Sequence, residues 1–573
     1  MDSFIKNIIL VIILIPFYSY AQTFNWDFAK SFGGPGPVGS YGITTDKENN
    51  IYVFGAFLDS LYIGDTVFKC YQSHTYSYDG YIAKFTDEGE FVLGIHIVTT
   101  GLGILQKLQC VVDNNLNIIV SGVFLWGTLK IQGKPIKCFG SQDSFICKYD
   151  QNGNVLWIKH IKGTGPDEIH LMKMSDNNNF YIATYHNTSS QFSNNYVIYG
   201  NYDTVLYKQK NYLVLAMYDN NGELIWLRSG NTLHHQLQLY SWDMEILGEY
   251  VYLVGPSRDT LIFDQDTLPG QWWPFRDVNR VIKYNERGKK SFIGSFANYP
   301  IYDAAIDTDD NYYTTGHIPD TLIIGNDTIT QYDISDICLA KYDAELNLLW
   351  YDIIPTNQGF AGVAHVITRD DGYIYASGHF KDEIQIGDTT IFGGLFHRKK
   401  FFIAKYTKNG EFVEVISSNG KHQNSGTNEF SGTDILIYDC QNILVSGGFT
   451  YRAYFGNDTL QSLGSHDIFF AKLGTDQLIV STDSRLSLKE PSLSLINITP
   501  NPTPSEIIIE FNDIIESAII QLHDLSGKIL QSYSYNAREG HLKSIDLGNY
   551  PKGVYLFNVQ SKNFNETKKI IKL

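Results

Sequence analysis

The stretch DNNLNIIVSGVF, Asp113 to Phe124, followed after a gap by SFICKYDQNGNVLWIK, Ser144 to Lys159, decides the fold. Asn117 to Val123 alternates β-branched and small residues up to Gly122. Ser144 to Tyr149 and Asn154 to Lys159 do the same on either side of the turn Asp150-Gln-Asn-Gly153. The pattern predicts short antiparallel strands. The turn places Asn and Gly where a hairpin needs a positive φ, which costs a residue with a Cβ roughly 1 kcal/mol and glycine nothing.

The unit recurs. The glycine after its second strand has counterparts at Gly55, Gly255, Gly316, Gly378 and Gly447, with Thr184 in its place in one copy. A second ruler closes the third strand: Ala83-Lys84-Phe85, Cys147-Lys148-Tyr149, Ala216-Met217-Tyr218, Ile282-Lys283-Tyr284, Ala340-Lys341-Tyr342, Ala404-Lys405-Tyr406 and Ala471-Lys472-Leu473. Both rulers give seven copies, about 60 to 70 residues apart. One four-stranded sheet cannot bury both its faces, so such repeats stack, and their closed arrangement is a β-propeller. The expected fold is all-β, a seven-bladed β-propeller followed by a small Ig-like β-sandwich. The seventh copy lacks an outer strand. Phe24 to Lys30, which resembles Val155-Leu-Trp-Ile-Lys159, stands unassigned near the other end of the chain. Pairing the two would leave no open sheet edge.

Residues 1–21 carry one lysine, Lys6, an apolar run from Ile8 to Phe17, and Ser19-Tyr20-Ala21, the layout of a signal peptide. Residues 22–476 form the repeat region. The polar stretch 477–491 reads as a linker, and 492–573 follows a different pattern. No later stretch reaches the ~18 to 20 apolar residues that span a bilayer, and no cysteine follows Ala21 to carry a lipid. With 61 acidic against 44 basic residues and a formal net charge of −17, the chain is poorly suited to nucleic acid or an anionic membrane surface. Its six cysteines are scattered. Cys70 and Cys138 occupy the same place in adjacent copies, beyond the ~7 Å that a disulfide tolerates, so thiols are expected.

Two family resemblances follow from these motifs. The order D-x-x-x-N-x-Y-x-x-G, F-G-x-D-T, D-x-F-I-A-K-Y-D-x-x-G-x-x-x-W resembles the SBBP-type β-propeller repeats of secreted bacterial proteins, over Thr23 to Asp476. That family shares no single activity. Ile496-Asn-Ile-Thr-Pro-Asn-Pro502, Ala518 to Lys528, Tyr550-Pro-Lys-Gly553-Val-Tyr555-Leu556 and Lys568-Lys569-Ile570-Ile571 resemble the type IX secretion C-terminal sorting domain, with His523 in place of the usual Tyr and Tyr550 in place of the usual Leu. The resemblance implies that the type IX machinery is a partner and that the protein is secreted or held at the outer cell surface. The segment reads as about seven short strands of an Ig-like sandwich.

The residues that could carry chemistry each have a structural reading beside them. The turns Asp46-x-Glu48-x-Asn50, Asp113-x-Asn115-x-Asn117 and Asp307-x-Asp309-x-Asn311 resemble the start of a calcium loop. They lack its glycine and distal glutamate, and Asp and Asn at such turns bond their own backbone. Asp79, Asp143, Asp336 and Asp467 open third strands, where a carboxylate can accept backbone N–H groups. His317 and His379 follow the ruler glycine in consecutive copies, without an identifiable third metal ligand. Trp26, Trp157, Trp226 and Trp350 share one strand position, which suits packing between blades. That position also resembles quinone-binding propellers, but the adjacent cysteines of that family are absent. Trp272 and Trp273, in the Pro269 to Phe275 loop, break the repeat and are the candidate ligand-binding residues, by sugar stacking or protein contact. No metal site or cofactor is expected, and no catalytic pair can be selected among the 61 acidic residues. The function read from the sequence is a non-catalytic binding or adhesion module for an extracellular glycan or protein. The alternative is a carbohydrate-active enzyme, a glycosidase or lyase, with its site on the propeller axis.

Overall fold

The computed structural model describes residues 24–475 and 496–572 apart from loop segments, the longest being 188–194, 233–241, 271–277, 393–399 and 418–429. The described residues contain strands, turns and bends and no helix. The chain divides into two compact units, Met1–Gln477 and Leu478–Leu573.

Among the described residues, unit 1 holds seven antiparallel four-stranded meanders. Sheet 1 is Val38–Thr45, Ile51–Phe57, Asp79–Phe85 and Phe91–Thr100, and sheet 2 is Ile104–Val112, Ile118–Leu125, Gln142–Tyr149 and Val155–Gly163. Sheet 3 is Asp167–Met174, Phe180–Asn187, Asn211–Tyr218 and Leu224–Thr232, and sheet 4 is Asp243–Leu247, Tyr250–Ser257, Val278–Asn285 and Lys290–Phe296. Sheet 5 is Ile301–Ile306, Tyr312–His317, Ile337–Tyr342 and Leu348–Ile354, and sheet 6 is Ala361–Thr368, Tyr373–Phe380, Lys400–Thr407 and Phe412–Ser417. Sheet 7 takes Phe430–Ile437, Asn442–Phe449 and Asp467–Thr475 from the end of the unit and Phe24–Phe32 from its start. The last two pair antiparallel from Phe24↔Thr475 to Phe32↔Ile468, as the unassigned strand required. Each sheet's first strand touches that of the next in order, and the first strand of sheet 7 lies against that of sheet 1.

The short hairpins inserted between second and third strands lengthen the repeat, and they also cover edges. The hairpin of sheet 2 adds Thr128–Ile131 to the outer strand of sheet 1, that of sheet 3 adds Asn195–Tyr199 to sheet 2, and that of sheet 4 adds Leu261–Phe263 to sheet 3. An outer strand that would expose unpaired N–H and C=O groups is thereby closed by its neighbour.

The second ruler marks a buried lysine. Lys148 Nζ lies 2.8 Å from Asp113 and Lys283 Nζ 2.8 Å from Asp310, both carboxylates being on first-hairpin turns. Lys84 sits 3.5 Å from Asp46, and Lys405 stands over the Tyr373 ring at 4.1 Å. An ammonium taken out of water needs such a carboxylate or aromatic face, so the Ala-Lys-Tyr pattern is a socket joining two strands.

The repeated tryptophans join neighbouring sheets. A Cβ added to Gly222 would stand 3.0 Å from Trp157, to Gly288 2.9 Å from Trp226, and to Gly410 2.7 Å from Trp350. Each glycine turns at positive φ (79°, 67° and 87°) in the sheet after its tryptophan, so the position demands glycine for both conformation and space. Trp226 and Trp350 donate their indole N–H to the carbonyls of Glu286 and Lys408 in the same turns.

Unit 2 has a three-stranded sheet, Ile496–Thr499, Glu506–Phe511 and Leu542–Asp546, and a four-stranded one, Ile529–Asn536, Ser517–His523, Gly553–Ser561 and Asn565–Lys572. Ile507, Ile509 and Ile545 from the first share a core with Ile520, Leu522, Phe557, Val559 and Ile570 from the second.

Candidate functional site

One position on each first strand is fixed by register, the one opposite the residue before the ruler glycine. The pairs are Gly42↔Phe54, Gln109↔Ser121, Leu171↔Ala183, Asp243↔Val254, Asp303↔Thr315, His365↔Ser377 and Asp434↔Ser446. Sheets 1 to 3 thus place Gly, Gln and Leu there, and sheets 4 to 7 place Asp, Asp, His and Asp. In every sheet but the fourth, a register shift immediately precedes this residue. Such a bulge re-aims the side chain that follows it.

The four ionisable residues face one another across sheets. His365 Nδ1 lies 3.6 Å from Asp303 and its Nε2 3.6 Å from Asp434, so one imidazole spans sheets 5 and 7. The carboxylates also take backbone N–H groups from adjoining first strands: Asp303 from Val366 at 2.6 Å, and Asp434 from Ile43 at 3.1 Å. Burial disfavours the charged imidazole, but Asp434 and Asp303 outweigh it and push the His365 pKa up to about 9. Burial raises the Asp434 carboxyl, against the pull of His365. Asp243 is raised well above the ordinary range by burial and then by Asp303 and Glu245. Lys173 of sheet 3 pairs with Glu245 at 3.1 Å. A second cluster joins Lys107 of sheet 2 to Glu168 at 2.5 Å, with His170 at 3.0 Å from the same carboxylate. The His170 and Lys107 bonds outweigh burial and hold Glu168 down at about 2. Among the described residues no three His, Cys, Asp or Glu are grouped to hold a metal ion.

Each sequence-predicted residue has its place. Asp46 Oδ1 accepts the N–H groups of Glu48 and Asn50 at 2.9 Å, Asp113 those of Asn115 and Asn117 at 2.8 Å, and Asp307 those of Asp309 and Asn311. The acidic turns are committed to their own backbone. Asp79 accepts the Thr99 N–H, Asp143 that of Phe139, and Asp467 those of Leu463 and Gly34, the structural role expected of them. The backbone C=O of Asp336 accepts the Ile318 N–H. His317 stands edge-on to Tyr302, ring centroids 5.0 Å apart, and His379 is half-buried on sheet 6. Cys70, Cys110, Cys138, Cys147 and Cys338 are free thiols with pKa values raised by burial, and Cys440 lies outside the described residues. Trp272 and Trp273 also lie outside the described residues.

The sequence reading missed two further groupings. Thr184, the exception to the glycine ruler, puts Oγ1 2.7 Å from His186 Nε2, and His186 Nδ1 is 2.7 Å from Asp167. This has the layout of a nucleophile, base and orienting acid, but at 0 %, 1 % and 1 % exposure no substrate reaches it. It fills with polar atoms the space that Gly122 and Phe124 occupy in sheet 2. The first-strand belt was missed because the copies differ there. The available signal was an Asp or His interrupting an apolar strand at one fixed distance before the turn in copies 4 to 7.

Residues 497–573 match the secretion system C-terminal sorting domain. The chain is therefore exported through the type IX system, to the cell surface or the medium. No curated protein sequence matches the chain. Among solved structures it is similar to the Dos1 propeller (10 % identity, TM-score 0.35, 79 % of this chain and 96 % of that one). It is also similar to NanB sialidase from Streptococcus pneumoniae (10 %, 0.33, 79 % and 70 %) and to a member of the duf4221 family from Bacteroides vulgatus (10 %, 0.27, 66 % and 99 %).

Proposed function

We propose that the protein is a secreted or surface-held seven-bladed β-propeller, delivered by a C-terminal Ig-like sorting sandwich, that works as a non-catalytic binding or adhesion module for an extracellular glycan or protein. A cleaved signal peptide at 1–21 starts the export, and SBBP-type repeats build the ring. Seven sheets with first strands in cyclic contact support the blade count. The observation that carries the binding reading is the commitment of the axial carboxylates: Asp303 and Asp434 each share His365 and a backbone N–H from a neighbouring strand. A catalytic pair needs at least one carboxylate facing substrate.

One observation favours the second reading, a carbohydrate-active enzyme. Burial, Asp303 and Glu245 push the Asp243 carboxyl well above the ordinary range, and a raised carboxyl is the raw material of general acid catalysis. A glycan array probed with the purified protein, together with release of reducing ends from every glycan it binds, decides between them. Binding without release is expected. Release that Asp243→Asn abolishes would establish the enzyme instead.

A further inference from the structure

Sheets 1 and 2 carry the same polar pair and differ in what surrounds it. Asp79 lies 2.8 Å from His96 Nε2, and Asp143 lies 2.7 Å from His160 Nε2, each pair joining the third and fourth strands. Phe68 stacks on His96 with ring centroids 5.0 Å apart, and a Cβ on Gly94 would come within 2.7 Å of that phenyl ring. The counterparts of Phe68, Gly94 and Val98 in sheet 2 are Ile136, Ile158 and Lys162, by the common Lys-Cys that follows and the common strand register.

The exchange replaces a phenyl ring and a glycine by isoleucines and adds a lysine, while the two imidazoles stay almost equally exposed, 19 % and 20 %. A cavity of about 450 Å³ lies beside His160, lined by Ile136, Ile158, Lys137, Lys162 and Phe139. Asp143 arranges it: besides His160, its carboxylate accepts the N–H groups of Phe139 at 2.7 Å and Gly140 at 3.3 Å, so one buried residue fixes both the imidazole and the loop that presents the phenyl ring. Phe139 is 56 % exposed, and the Lys162 ammonium stands 6.0 Å from its ring. Neither Lys137 nor Lys162 has a carboxylate in salt-bridge range among the described residues, in a chain that carries 61 acidic side chains. Two uncompensated ammoniums beside an exposed aromatic and an isoleucine-lined wall ask for a ligand that is anionic at one end and presents an apolar ring face at the other.

We propose that this cavity between the inserted hairpin and the outer strand of sheet 2 binds a carboxylate-bearing sugar residue, the carboxylate between Lys137 and Lys162 and the ring face on Phe139. The inference rests on reading the unit as a binding module and names one site on it, away from the first-strand belt. The test titrates the purified chain with glucuronate, glucose and inorganic phosphate by calorimetry. Glucuronate should bind, and Lys137→Gln and Lys162→Gln should each weaken it by about tenfold, the effect of losing one charge-assisted hydrogen bond. Lys137 is exposed and Lys162 half-buried, and neither has a salt-bridge partner among the described residues to lose, so melting temperatures should stay nearly unchanged. Phe139→Ala should weaken glucuronate and leave phosphate as it was. Glucose binding as tightly as glucuronate, phosphate binding more tightly than glucuronate, indifference to both lysine variants, or no glucuronate binding would each overturn the proposal. A chain that ignores glucuronate but captures other glycans on the array loses this site and keeps the binding reading.

Discussion

The outer parts of the sheets are built alike, and their first strands are not. Around the rim the same parts recur: a tryptophan on the next sheet's turn glycine, a buried lysine on a turn carboxylate or tyrosine face, and an inserted hairpin on the neighbouring edge. At the axis, one register position holds Gly42, Gln109 and Leu171 on one side of the ring and Asp243, Asp303, His365 and Asp434 on the other. A contact repeated in most copies serves the architecture they share. Ionisable residues at that one register position are confined to sheets 4 to 7 and belong to this protein's individual character. Strong motifs in a repeat protein therefore point to scaffold, and the individual residues lie where the copies disagree.

The largest expected effect breaks the rim outright. Deleting Phe24–Phe32 leaves Asp467–Thr475 with an open edge, and the product should aggregate, seen as loss of the monomer in size-exclusion chromatography. A deletion variant that stays monomeric with the parent melting temperature would show that the ring does not need its shared sheet.

Next is a single lysine socket. Asp113→Ala leaves the Lys148 ammonium, whose side chain is 6 % exposed, without its carboxylate. The expected loss is about 3 kcal/mol by urea denaturation, the range for stranding one partner of a buried pair. A loss under about 1 kcal/mol would put the pair with ordinary surface ion pairs and remove the rim's claim to be load-sharing.

A smaller effect separates the two sides of the axis. The His365 pKa is raised in the folded state, so its stabilisation is complete below the unfolded value near 6.5 and is lost as pH rises through about 9. Its charged neighbours are Asp303 and Asp434, with Asp243 beyond them, and the raised carboxyl of Asp434 acts in the same direction, losing stabilisation as pH rises. His365→Gln should lower the melting temperature at pH 6 and leave it nearly unchanged at pH 10, whereas Gln109→Ala, at the matching position of sheet 2, should shift both equally. Equal shifts for His365→Gln at the two pH values would erase the comparison. The smallest effect is a gain: Leu116 holds a turn at φ 63°, and Leu116→Asn should stabilise by about 0.5 to 1 kcal/mol in the same assay.

The sheets were legible because strand alternation and turn glycines are local, and even the shared seventh sheet followed from counting strands at the two ends. Lys148 served as a ruler without a reason, since its carboxylate, Asp113, is 35 residues away in sequence and only the folded register brings the two within 2.8 Å. The belt was illegible for a related reason. Asp243, Asp303, His365 and Asp434 come from four sheets, and nothing local says that a bulge aligns them. The cavity beside His160 was hidden in a substitution, Ile136 for Phe68, that looks conservative in sequence and removes an aromatic ring from the wall.

The account turns on whether the axial belt is one internally paired group. An NMR pH titration of the His365 imidazole in the intact protein measures this directly. The paired belt predicts a pKa of about 9, falling toward 6.5 in the Asp303→Asn and Asp434→Asn double variant. An unmodified protein that already titrates His365 near 6.5 would show carboxylates free to face a substrate, and would contradict the binding reading of the axis.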